Sequence, residues 1–103
     1  MNVAQRFGAN LAYLRSEAGL SQEELGFLAG LHRTEISLLE RGTRVPRIDT
    51  LVKLAGALDI EPERLLDGID WRPASAEPGR FGVDARARRD ETKVAGAQSP
   101  SPQ

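Results

Sequence analysis

Four arginines, Arg33, Arg41, Arg44 and Arg47, crowd the stretch between residues 31 and 47, where only Glu35 and Glu40 oppose them. A local positive excess of this kind suits the binding of phosphate, because neutralisation by Lys and Arg supplies most non-specific affinity for nucleic acid. Catalysis has much thinner support. His32 is the sole histidine, cysteine is absent, and no carboxylate pair stands at an identifiable spacing from a nucleophile. Neither a metal-ligand cluster nor a glycine-rich phosphate loop is legible. A lone histidine beside a helix start is ordinarily a surface or capping residue. The sequence therefore reads as a binding protein, not an enzyme, with no cofactor and no metal.

The elements that must position these residues can be read from periodicity. Val3, Phe7, Leu11, Leu14 and Ala18 recur at helical spacing and mark the buried stripe of a first helix that ends before Gly19. Ser21-Gln22-Glu23-Glu24 has the Ser-x-x-Glu form of a capping box. Its hydroxyl and carboxylate satisfy the exposed N–H groups of a second helix, which is expected to run to about Ala29 with Leu25 and Leu28 inward. Gly30 can take the left-handed conformation of a sharp corner, and Leu31 plugs it. The third helix, at 32–41, turns Ile36 and Leu39 inward and stops at Gly42.

Pro46 forbids continuation through Thr43-Arg44-Val45, and Ile48, Leu51, Leu54, Ala55 and Leu58 then outline a fourth helix. Glu61-Pro62-Glu63 suits the first turn of a short fifth helix carrying Leu65 and Leu66 and ending at Gly68. Two short helices joined by a tight corner and wrapped by three others make an all-α domain. A third helix that protrudes from such a domain fits a major groove, but periodicity alone leaves this as one helical bundle among many.

The 103 residues, 40% of them hydrophobic, allow one modest core. Without cysteine, stability rests on packing, and no window approaches the roughly 18 apolar residues of a membrane span. We read a cytoplasmic protein. The net charge of −1 is unevenly spread, with eight basic and eleven acidic side chains in 1–70 against six and four in 71–103. The acidic residues cluster at 17–24 and 59–70, so one basic and one acidic face are expected. Residues 72–103 hold four of the six prolines and much Ala, Ser and Arg. They read as a flexible, largely disordered tail after a domain at 1–71. Trp71 is expected to close the end of the core, the alternative being a dimer anchor, for which Leu65, Leu66 and Ile69 are further candidates.

Taken together, Phe7-Gly8, Leu14-Arg15, Gly19 through Leu25, Ala29-Gly30-Leu31, Ile36-Ser37, Glu40-Arg41-Gly42, Pro46 and Leu51 through Leu58 resemble the lambda-repressor/Cro-like, or XRE, helix-turn-helix family. The resemblance covers residues 6–66. It implies a compact five-helix DNA-binding domain, and a sequence-specific transcriptional regulator whose third helix reads double-stranded DNA. A homodimeric repressor on a palindromic operator is the form it implies. Position by position, it makes Gln22 a phosphate contact that braces the reading helix, and it places His32, Arg33, Thr34 and Ser37 on the face that meets base edges or adjoining phosphates. Arg33 is the first choice for base reading, since a guanidinium bonds bidentately to guanine O6 and N7. Arg44 and Arg47 flank a loop where relatives grip the backbone, and Arg15 and Glu40 correspond to a buried ion pair.

Three residues depart from the family pattern. Gly26 replaces a usual alanine, Arg47 stands where a small hydroxyl residue often caps the fourth helix, and Glu35 stands where tyrosine or a neutral polar residue is common. For Glu35 three roles are open: restraining Arg33 or another arginine, accepting a hydrogen bond from cytosine N4, or serving the helix dipole. An alternative function is that of an antitoxin, binding DNA with this domain and a protein toxin with the 72–103 segment. The run Arg86-Ala87-Arg88-Arg89 in that segment is either a solvated extension or a source of extra phosphate contacts.

Overall fold

Asn2 starts the first helix by accepting the backbone N–H of Gln5 at 2.8 Å, while its own N–H donates to the Gln5 side chain, also at 2.8 Å. In the computed structural model, which describes residues 1–83, this helix, α1, spans Val3–Glu17. The Ser21–Glu24 box forms as expected, with the Glu24 N–H donating to Ser21 Oγ at 3.0 Å and the Ser21 N–H donating to Glu24 Oε1 at 2.8 Å. It opens α2, Gln22–Ala29. Gly30 takes φ +69°, and the Leu31 N–H reaches back to the Gly26 carbonyl at 2.8 Å, closing the corner before α3, Arg33–Glu40.

Beyond the Pro46 loop lies α4, Ile48–Leu58. Arg47 stands at its N-cap without a capping bond, so Asp49 serves the first turn instead, accepting the Thr50 N–H at 2.9 Å. A short 3-10 helix, Pro62–Leu66, follows, and then an antiparallel hairpin of β1, Ile69–Arg72, and β2, Arg80–Val83.

One core joins every helix. Phe7, Leu11 and Leu14 of α1 meet Leu25 and Ala29 of α2, Ile36 and Leu39 of α3, and Leu51, Leu54, Ala55 and Leu58 of α4, with Leu65 of the 3-10 helix closing it. Against this core α3 packs on both α1 and α2, so two of its sides are fixed and the third is left outward. Buried polar groups add a clamp that periodicity does not show. Asn10 donates to the carbonyls of Leu65 and Asp67 at 3.0 and 2.8 Å, and the buried Arg6 donates to Asp67 at 3.3 Å, holding α1 to the chain after α4.

Several expectations need correction. There are four α-helices among the described residues, not five, because the 62–66 segment tightens into 3-10 geometry. Its five residues, between Pro62 and the carbonyl-bonded end at Asp67, leave no room for a stable α-helical run. Leu28, Ile48 and Leu66 face outward, as does Ala18 at the end of α1, while Leu65 is fully buried and so unavailable to a partner. Trp71 does not close the core. It is 56% exposed and meets Phe81 edge-on across the hairpin, ring centroids 5.0 Å apart, so ordered structure continues beyond residue 71. Residues 84–103, with the arginine run at 86–89, lie outside the described residues, and the disorder expected of the tail is untested there. No helix among the described residues is long and apolar enough to cross a membrane.

The α1–α3 contact depends on Gly8. A Cβ there would fall 2.6 Å from the Glu40 carbonyl oxygen and nearer still to that of Leu39. Gly8→Ala should therefore destabilise the domain by about 1–3 kcal/mol, the usual range for overpacking, despite the better helix propensity of alanine. Thermal unfolding followed by circular dichroism checks this, and a wild-type melting temperature would contradict the close approach.

Candidate nucleic-acid interface

With Ile36 and Leu39 fully buried, helical geometry sends His32, Arg33 and Thr34 to the surface and leaves Ser37 half-buried beside them. Arg33, Thr34 and Ser37 of the expected reading face thus share one side of α3, and His32 stands just before its first turn. His32 is the N-cap: its Nδ1 accepts the Thr34 N–H at 3.0 Å, which leaves the ring proton on the outward Nε2 as a donor. Arg33, the first residue of the helix, is exposed and makes no hydrogen bond or ion pair among the described residues. Its planar fork of donors is therefore uncommitted.

Gln22, at the start of α2, is tied to α3 through Glu40. Its amide donates to Glu40 Oε1 at 3.0 Å, tying the first residue of α2 to the last residue of α3. Glu40 in turn receives Arg15 in a two-pronged bond, Nε to Oε2 at 2.6 Å and Nη2 to Oε1 at 3.0 Å, while Arg15 Nη1 donates to the Leu20 carbonyl at 2.8 Å. The two side chains are 18% and 8% exposed. The hydrogen bond to Glu40 raises the Arg15 pKa, burial opposes it, and the attraction of the carboxylate adds to the rise. Arginine is charged at all relevant pH values, so the cationic half of this junction of α1, α2 and α3 is constant. The Glu40 carboxylate is turned into this junction and away from the outward face.

Arg44 and Arg47 are both exposed in the loop after α3, but they differ in attachment. Arg44 Nη2 lies 2.7 Å from Glu35 Oε1 in the first turn of α3, which joins Arg44 to that helix. Arg47 instead lies 3.3 Å from Asp49 on α4, both largely in solvent. Of the three roles open to Glu35, the restraint of an arginine is the contact the structure contains, and the arginine is Arg44. Arg41 was not among the expected site residues. It extends the basic rim, its Nε donating to the Ser37 carbonyl at 3.3 Å. A cation at the C-terminal end of a helix is favourable in itself, and the Glu-Arg-Gly sequence at the helix stop was the available signal. Gly26 also gains a reason: a Cβ there would fall 2.6 Å from the Leu31 carbonyl, so α2 and the corner meet backbone to backbone.

A tight αL corner between two short helices, a second helix anchored by a buried pair, and a basic outward face define a helix-turn-helix DNA-binding module. The sequence profile of the Helix-turn-helix (HTH_3) family matches residues 11–65, more than half of the chain, and the chain belongs to that family. It is 43% identical over 67 residues to the control protein C.BamHI of Bacillus amyloliquefaciens, an overlap of 64% of this chain and 83% of that protein. Among solved structures, the restriction-modification controller protein C.AhdI of Aeromonas hydrophila is similar at a TM-score of 0.59 and 48% identity, covering 60% of this chain and 94% of that one. The P22 c2 repressor in complex with a synthetic operator is similar at a TM-score of 0.55 and 30% identity, covering 58% of this chain and 91% of that one. The protein is a DNA-binding transcriptional regulator of the XRE type.

Arg15→Ala would strand the Glu40 carboxylate with only the Gln22 amide. It should cost about 3 kcal/mol, the lower end of the range for breaking a buried pair. Urea denaturation measures it, and wild-type stability would mean that the junction does not fix α3.

Proposed function

We propose that the protein is a sequence-specific repressor of the controller-protein type, acting as a homodimer on a palindromic operator. The observation that carries the reading is the division of charge on α3: Glu40 is engaged inward by Arg15 and Gln22, whereas Arg33 stands exposed and uncommitted at the helix start. Arg33 reads a guanine, and Thr34 and Ser37 supply hydroxyls, and Thr34 a methyl, to neighbouring base edges or phosphates. The Nε2 donor of His32, the amide of Gln22 and the guanidinium groups of Arg44 and Arg47 hold the phosphates that set the register of the helix. Every assigned contact falls within 1–71, and the 72–103 segment carries none. The toxin-binding role of the antitoxin alternative would fall in that segment, most of which lies outside the described residues.

The dimer rests on a separate observation. Val3, Val45, Pro46, Ile48, Leu66 and Ile69, with Arg47 at its edge, line a largely apolar groove between the loop before α4 and the start of the hairpin. Ile48 is 76% exposed at its rim, and Val52, one turn along α4, is also exposed. Contiguous apolar surface of this kind on a small domain marks an association site, and a second copy is the occupant that a short reading helix requires. One helix reads only a few base pairs, and two copies about one DNA turn apart double the information.

Arg33→Ala should keep the fold, by circular dichroism, and lose about 1–3 kcal/mol of discrimination at one or two positions of the site recovered from a pool of random duplexes. Unchanged affinity and preference would remove Arg33 from the reading role. Ile48→Glu should shift the protein from dimer to monomer in sedimentation equilibrium and weaken binding to a two-half-site duplex. A dimer of wild-type strength would place the interface elsewhere.

A further inference from the structure

The contact between Glu35 and Arg44 poses a question of sign. A carboxylate on the reading helix of a DNA-binding protein should repel phosphate, and its loss should then tighten binding. The geometry suggests another role. Glu35 Oε1 takes only one Nη of Arg44, at 2.7 Å, and the Arg44 side chain remains half exposed. The other guanidinium donors are thus left for a second anion, since the group carries five N–H donors in a fixed fork. The backbone under Arg44 is also held. The Thr43 hydroxyl donates to the Leu38 carbonyl at 2.8 Å, the Thr43 N–H donates to the same carbonyl at 3.3 Å, and Gly42 makes the left-handed turn at φ +72°. A fixed backbone with an untethered arginine would still leave a long side chain to be ordered at every binding event.

We propose that Glu35 is a positioning residue for DNA binding: it holds Arg44 against the first turn of α3, so that the remaining guanidinium donors meet a phosphate already oriented, with the ion pair kept in the complex. The inference rests on the reading of α3 and the following loop as the DNA-contacting face. Glu35 itself touches no base. Its carboxylate is neutralised by Arg44, and its place near the positive end of the α3 dipole adds to that neutralisation. What it contributes is the ordering of one arginine, and removing that contribution should weaken binding although a negative charge is lost.

The test uses the full chain and a fluorescein-labelled duplex recovered by wild-type selection from a random pool, titrated by fluorescence anisotropy over a series of KCl concentrations. Arg44→Ala should weaken binding and reduce the salt slope by about one phosphate contact. Glu35→Ala should weaken binding about three- to tenfold, the scale of ordering one long side chain, and Glu35→Gln should weaken it less because the amide oxygen still accepts the bond. In the Arg44→Ala background, Glu35→Ala should no longer weaken binding. Melting temperatures of all variants should stay at the wild-type value, since both side chains are partly in solvent.

Tighter or unchanged binding by Glu35→Ala, with Arg44→Ala still weakened, would show that Glu35 only masks Arg44 and would overturn the proposal. A loss that persists undiminished in the Arg44→Ala background would overturn it as well. Wild-type affinity and salt slope in Arg44→Ala would instead overturn the underlying assignment of Arg44 as a phosphate contact, a separable failure.

Discussion

The bond between Arg15 and Glu40 is the constraint on which the rest of the site depends. α3 is only eight residues long, too short to be stable alone, and its orientation must come from what it packs against. Ile36 and Leu39 supply the apolar half of that attachment. The Arg15–Glu40 pair supplies the directional half, because a two-pronged guanidinium–carboxylate bond fixes angle as well as distance. Gln22 then joins through Glu40, so the start of α2 and the end of α3 are set relative to each other. The close backbone approach at Gly8 brings α1 near enough for the pair to form.

A second consequence concerns charge. The chain is slightly acidic overall, yet the outward side of α3 carries an Arg33 without a partner among the described residues, while its two glutamates are both engaged. Net charge is thus a poor guide to this protein's partners, and the location of each counter-charge is a better one. Glu40 is spent on structure and Glu35 on an arginine of the loop. The basic rim runs from Arg33 and Arg41 along the third helix to Arg44 and Arg47 in the loop behind it, the last two each with a carboxylate beside it.

Much of this was legible in the sequence because the signals were local. Ser21 with Glu24, Gly30 with Leu31, and Ile36 with Leu39 each act within one or two helical turns, and each forms as expected. The Arg15–Glu40 pair spans 25 residues and was legible only through family resemblance. Three kinds of feature escaped. Leu28, Ile48 and Leu66 fit helical periodicity but face outward, since periodicity marks an apolar stripe without saying whether this chain or another covers it. The Asn10 and Arg6 clamp links residues more than fifty positions apart, and no local pattern announces such a bond. The hairpin pairs the end of the 1–71 domain with a strand from the 72–103 segment, whose Pro- and Ala-rich composition points to disorder, and Trp71 meets Phe81 across it.

We propose the outward side of α3, braced from behind, as the surface that meets DNA. It is tested most directly by following backbone amide resonances of the protein as a duplex recovered by random-pool selection is added. The account predicts the largest shifts at Gln22, at residues 32–37, and at Arg44 and Arg47, with the β1–β2 hairpin and the exposed side of α1 nearly unchanged. Shifts centred on the hairpin or on α1, with residues 32–37 unmoved, would contradict it.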